Sequence, residues 1–317
     1  MENNKGLSDI FKWLWGKITG NSTPQPTEPI PEPIPEPIPE PIPEPEPEPE
    51  EEYEDGDMAN TNKRSIHFGL NDYKGSKNDL RGCVPDAKNW RETLKAKGFS
   101  SIFLKDSNVT KTNFVSNIKK LIALSKDGDW LVITFSGHGT HIKDENGDEA
   151  DGRDEALCLY DSIITDDELR TIFKTIPNGV KTLFVSDSCH SASMTRAALD
   201  TLYSDEYIRP RYMPPETNDI ALLNSIKVKK PFMIPEEGMN HILLSGCQAN
   251  ESSYDTVFNG QACGALSYYA NKIIRERGSM TFSQLHGWIR QELPSTRYPQ
   301  QPSLEGPHKL KNSVMFE

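Results

Sequence analysis

The stretch EPIPEPIPEPIPEPEPEPEEE (residues 32–52) constrains more than any other what this chain can fold into. Proline at almost every second position fixes φ and removes the backbone donors that helices and ladders need. The segment is therefore excluded from any core and favours extended polyproline II, stiffened by repulsion between its glutamates. At about 3.1 Å per residue, roughly 30 such residues reach ~90 Å. It reads as a semi-rigid spacer. The 317 residues divide accordingly into a short N-terminal helix (1–20), a Pro/Glu-rich linker (21–62) and a body (63–317).

The same segment accounts for the charge. Residues 24–57 hold 13 of the 24 prolines and thirteen acidic residues, with no Lys or Arg. The whole chain carries −12, so everything else sits near +1. Acidity belongs to the linker, and bulk charge gives no reason to expect a nucleic-acid partner. Five cysteines (83, 158, 189, 247 and 263) are too few and too scattered for a disulfide framework. Four lie in or beside apolar runs, as buried free thiols do. No apolar run approaches the roughly 18 residues that span a membrane. The first residues lack a signal peptide's apolar core and cleavage site, so a cytoplasmic setting is expected. In the N-terminal piece, Leu7, Phe11, Leu14 and Ile18 form one helical stripe. A docked or frayed tail helix and a helix that binds a partner or a membrane surface are both open readings.

From residue 63 onward, short apolar runs alternate with longer amphipathic ones. Strands are predicted at 64–71, 101–106, 129–137, 155–161, 181–187, 240–246 and 312–316. Helices are predicted at 85–98, 110–126 with Thr110 as its cap, 165–176, 264–277 and 281–293. Such alternation predicts an α/β fold whose central sheet is mostly parallel. Ligands bind such sheets at the carboxyl ends of central strands. FSGHG (135–139) and SDSCHS (186–191) both fall at such ends.

A thiol attacks a carbonyl as thiolate, so a catalytic cysteine wants a base nearby. His138 and Cys189 end two predicted central strands; if those strands are neighbours, the two side chains meet as a dyad. Glycines beside His138 let backbone approach a substrate and leave the Gly139 N–H to join that of Cys189 in binding an oxyanion. His190 follows Cys189 directly. Adjacent residues of an extended segment point to opposite sides, so His190 is read as structural.

LNDYKGSKNDLRGCVPDAKNW, TFSGHGT, NGDEADGRDEALCLYD, TDDELR and VSDSCHSAS follow one another here in the order found in metacaspases. The chain resembles a metacaspase of type I over about Ser65 to Ala192 and again from near His241, and its proline-rich leader resembles the prodomains of that type. The resemblance implies the caspase–haemoglobinase fold, with helices on both faces of the sheet, and a Cys189/His138 dyad. The gap between these residues also fits the spacing of about 50 recorded for caspases. Cleavage after Arg or Lys is implied too. Asp86, Ser136 and Asp187 are then the residues expected to line a pocket pairing carboxylates with a cationic side chain. Asp86 also fits a plain helix N-terminal carboxylate.

Calcium is the cofactor that the resemblance implies, and no organic cofactor is expected. Asp151, Asp154, Asp166 and Asp167 match the family's acidic motifs. Arg196 stands seven residues after Cys189, where an aspartate is expected, so the family's ligand set is incomplete. Residues 144–155 also resemble an EF-hand loop weakly, with Glu149 where the loop needs glycine. A solvated acidic loop is as good a reading. An insertion at about 195–239 carries Arg196, Arg209, Arg211, Lys227, Lys229 and Lys230. Any of these suits self-cleavage by an Arg/Lys-specific enzyme, and an ordinary surface loop is the alternative.

Other readings fare worse. GHGTHI (137–142) resembles the histidine segment of subtilisins, but the Gly-Thr-Ser-Met-Ala nucleophile segment is absent. His138, His141, Cys189 and His190 lack a compact zinc spacing. A catalytically silent scaffold tethered by its N-terminal helix has no need of both Cys189 and His138. The sequence therefore predicts a cysteine endopeptidase acting on protein substrates after Arg or Lys.

Overall fold

The structure is a computed structural model, and it describes residues 57–143, 153–189, 207–215, 238–248, 251–296 and 298–317. The N-terminal helix and nearly all of the linker lie outside the described residues, as do most of the acidic loop and of the insertion. In chain order the elements are β1 (Lys63–Gly69), α1 (Cys83–Lys95), β2 (Ser100–Lys105), α2 (Lys111–Leu124), β3 (Trp130–Ser136), β4 (Gly139–Lys143), β5 (Arg153–Cys158), β6 (Ile163–Thr165), α3 (Asp166–Phe173) and β7 (Lys181–Asp187). There follow β8 (Arg209–Pro210), β9 (Ile242–Ser245), β10 (Tyr254–Phe258), β11 (Gln261–Gly264), α4 (Ala265–Glu276), α5 (Phe282–Glu292), β12 (Ser303–Glu305) and α6 (His308–Lys311).

Six strands form the main sheet in the order β12-β9-β7-β3-β1-β2. All neighbours run parallel except β12, which closes its edge antiparallel to β9. Alternation along β3 explains the layers. Leu131, Ile133 and Phe135 point to one face, where Phe114, Ile118, Leu121 and Ile122 of α2 cover them. Trp130 and Val132 point to the other, against Trp90 and Leu94 of α1, Ile273 and Ile274 of α4, and Phe282 and Leu285 of α5. Each such side chain contributes about 1.5–3 kcal/mol by leaving water. Burial on both faces is why these strands read as unbroken apolar runs. Thr110 caps α2 by accepting the Asn113 amide at 3.2 Å, and Thr165 caps α3 in a reciprocal box with Glu168.

Two expectations change. The run at 155–161 does not join the parallel sheet; it yields β5, in a small antiparallel sheet with β4 and β6. The run at 312–316 is not a strand of the sheet. There the chain turns, Phe316 has φ 64°, and its ring packs edge-on against Phe99 and Trp130. This short apolar stretch fills a gap between layers instead of extending a ladder. A third sheet, β11-β10-β8, was not expected at all. No helix of the described residues is long and apolar enough to cross a membrane.

Candidate active site

Register brings the dyad candidates to one edge. β3 and β7 are paired with Ser136 opposite Asp187, and His138 and Cys189 each stand two residues further along. His138 Nε2 lies 2.7 Å from the Asn78 carbonyl. A carbonyl only accepts, so Nε2 carries the proton and Nδ1 keeps the lone pair. That Nδ1 is buried and has no hydrogen-bond partner. Tyr73 steadies the residue: its hydroxyl accepts the His138 amide at 2.7 Å and donates to the Cys158 carbonyl at 3.2 Å.

Burial pushes the His138 imidazole down to about 4, against the raising effect of its bond to Asn78. Burial likewise pushes the Cys189 thiol up, while its bond to the Ser253 carbonyl and the nearby Arg211 pull the other way. Both groups therefore rest neutral near pH 7, and the thiol must give up its proton during attack.

The three residues expected to line a basic-side-chain pocket surround an arginine of the chain itself. Arg211 is completely buried. Its Nη2 reaches Asp86 Oδ2 at 2.7 Å and Asp255 Oδ1 at 2.8 Å. Its Nη1 donates to Ser136 Oγ at 2.6 Å and to the Asp187 carbonyl at 3.0 Å, with Asp187 Oδ1 at 3.2 Å. Three carboxylates thus surround one guanidinium. Backbone amides at the start of α4 support the excess negative charge: Gly264 N–H donates to Asp86 and Ser267 N–H to Asp187, each at 3.0 Å. A β-carbon at Gly264 would run into Asp187 and the guanidinium, so only glycine leaves room there. Even so, Asp86 is pushed up to about 7, by burial above all and with Asp187 adding to it, while Arg211 pulls against both.

The backbone of Arg211 is held as closely as its side chain. Its carbonyl accepts from the Gly139 amide at 2.9 Å and the Cys189 amide at 3.2 Å, the two donors expected of an oxyanion site. Its own amide donates to Ser253 at 2.9 Å, and the preceding β8 pairs antiparallel with β10. Beyond it, the Met213 amide donates to the Gly139 carbonyl at 2.9 Å. Gly139 therefore clasps the chain on both sides of the Arg211–Tyr212 bond. A β-carbon on Gly139 would collide with the Cys189 carbonyl.

The family model for the metacaspase peptidase C14 domain matches residues 63–198. Metacaspase-1 of Schizosaccharomyces pombe is 30% identical over 294 residues, covering 78% of this chain and 68% of that protein. The chain belongs to the metacaspase family. It is a caspase-like cysteine-type peptidase. Metacaspase-1 of Candida albicans is similar at 29% identity over 303 residues, covering 80% and 67% of the two chains. Among solved structures, a Geobacter sulfurreducens protein matches with TM-score 0.63 and 25% identity over 79% of this chain and 97% of its own. Caspase-1 of Spodoptera frugiperda shares the fold at TM-score 0.50 and 15% identity, over 77% and 85%.

In this metacaspase, Asp86, Ser136 and Asp187 are gathered around Arg211, while His138, Gly139 and Cys189 stand just past the paired ends of β3 and β7. Asp255 completes the pocket and was not foreseen, nor were Ser253 and Tyr73. Asp255 sits in β10, inside a hairpin whose only advance signal was Asn259-Gly260 at its turn. The proposed metal ligands are elsewhere. Asp166 and Asp167 open α3 and both pair with Arg170, at 2.5 and 3.3 Å. Asp154 is buried on β5. Among the described residues no group of three His, Cys, Asp or Glu side chains could hold a metal, and Asp151 with most of the acidic loop lies outside them. Asp151, His190, Arg196, Lys227, Lys229 and Lys230 lie outside the described residues. Arg209 is half-buried on β8, its guanidinium 5.5 Å from the Tyr207 ring centre.

Proposed function

We propose that this metacaspase is an endopeptidase that cleaves after arginine, and less readily after lysine, and that its first substrate is its own Arg211–Tyr212 bond. One observation carries the reading. Arg211 offers a guanidinium to three carboxylates while its carbonyl oxygen accepts from the amides of Gly139 and Cys189. Lysine brings a point charge without the planar fork that bridges two acids at once.

The chemistry follows from the two neutral side chains. Cys189 Sγ attacks the arginine carbonyl carbon while its proton passes to His138 Nδ1, the nitrogen with a lone pair to spare. Negative charge gathers on the carbonyl oxygen between the two amides. As the C–N bond breaks, His138 returns the proton to the leaving amine, leaving a thioester on Cys189. Water, deprotonated by the same imidazole, then releases the arginine carboxylate and the free thiol. No step needs calcium, and assays with and without it separate a metal switch from the chemistry.

Incubation of wild type and Cys189→Ala, followed by mass analysis and N-terminal sequencing, tests the proposal. Wild type is expected to give a fragment beginning at Tyr212, and Cys189→Ala none. Fluorogenic peptides ending in Arg are expected to outrun Lys, and Asp to be inert. Hydrolysis after Asp alone, or equal processing of Cys189→Ala, would overturn the reading.

A further inference from the structure

Specificity in this cleft extends past the scissile bond. We infer that His141 forms a platform for an aromatic residue directly after the cleaved bond, so that the enzyme prefers substrates of the form Arg–aromatic–apolar. The inference rests on reading Arg211 as a bound substrate. Tyr212, the residue after the bond, stacks its ring on the imidazole of His141 with centroids 5.9 Å apart and planes within 15°. Its hydroxyl lies 3.2 Å from His141 Nδ1, a hydrogen bond whose donor depends on the imidazole tautomer. An aromatic face on an imidazole face combines dispersion with a polar contact at the ring's far end. Alanine at the same position could make neither, and aspartate could not stack.

The backbone explains why this platform reads one position only. Gly139 bridges Tyr212 in the parallel sense, and its carbonyl takes the Met213 amide. His141 lies two residues further along β4, on the same side of the strand as Gly139. The chain is thereby held in register, with the side chain after the bond set against His141. Met213 behaves differently. It is buried and joins the core cluster that contains Phe135 and Leu157. An apolar side chain is therefore expected at the second position, whereas a charged one would have to be desolvated. Pro214 is exposed.

Internally quenched peptides containing Ile-Arg-Pro-Arg followed by X-Met test the inference on the self-processed wild-type enzyme. With X as Tyr or Phe, kcat/KM should exceed that for X as Ala about 2- to 12-fold, the range an aromatic pair supplies. Asp at X should fall below Ala. In His141→Ala the Tyr-to-Ala ratio should collapse towards one. His141→Phe should keep the aromatic preference but lose any preference of Tyr over Phe, and this second variant guards against misfolding of the first. Cleavage after Arg at the same rate whatever X is would overturn the platform and leave arginine specificity standing. Failure to cleave any of these peptides after Arg would overturn both.

Discussion

Two places among the described residues wrap an arginine in carboxylates, and they are built differently. At the start of α3, Arg170 pairs with Asp166 and Asp167 one helical turn away, all three partly open to water. In the cleft, Arg211 pairs with Asp86, Asp187 and Asp255, none of them near it in sequence and all of them buried. The first cluster is local, screened by solvent and cheap to break. The second exposes each acid to the full cost of desolvation, which only a cation delivered by another segment relieves. Burial, not the number of acids, separates a surface ion pair from a recognition site.

The largest contrast should come from removing each arginine in turn, in the Cys189→Ala background where the chain stays uncut. Arg211→Ala strands three buried carboxylates and should cost about 3–5 kcal/mol, read as a Tm drop on the order of 10 °C. The loss should be greater at pH 8 than at pH 6. Asp86 has its folded pKa raised to about 7, so in the intact pocket the charge that Arg211 neutralises is largely absent at pH 6 and present at pH 8. Benzamidine should restore part of that Tm. Arg170→Ala should cost only about 0.3–0.5 kcal/mol for its i,i+4 pair. Equal losses would erase the distinction.

A smaller but sharper test compares acids. Asp86→Asn should lower kcat/KM on arginine peptides by about 10²–10³-fold, as loss of one partner of a buried charge pair does. Asp167→Asn should leave it within about twofold, in line with a partly exposed pair. In wild type, KM for arginine peptides should rise as pH falls towards about 7, because Asp86 holds a proton more firmly when no guanidinium lies beside it and must give it up to form the ion pair. That limb should vanish in Asp86→Asn. A limb that persists there would assign the titration to another group.

The sequence made some of this legible and left the rest dark for physical reasons. Helices at 111–124, 166–173, 265–276 and 282–292 fall inside the predicted spans and that at 83–95 overlaps its own, beginning two residues early, because one buried face leaves a clear period. The cores of β1, β3 and β7 were equally plain as apolar runs. The dyad candidates followed from those strands, since both sit just past paired strand ends. Asp255 was invisible for the opposite reason: β10 is half polar, and its hairpin announced itself only through Asn259-Gly260, with φ of 52° and 80°. Arg211 could be named only as one of six basic residues. Nothing local distinguishes it from Arg209, because what selects it is a pocket assembled from four distant segments. The run at 312–316 was misread because a few apolar residues in a row look the same whether they extend a sheet or plug a gap.

Docking of Arg211 within its own cleft also sets the kinetic order of what happens there. On the proposed self-cleavage, scissile bond and nucleophile arrive on one chain, so the first cut should be unimolecular, with a half-life that dilution leaves unchanged. An outside peptide meets a cleft already held by a tethered rival at an effective concentration of about millimolar or more. Micromolar substrates are then poor competitors until that bond is broken. Progress curves on such peptides should accordingly begin with a lag whose length does not depend on enzyme concentration.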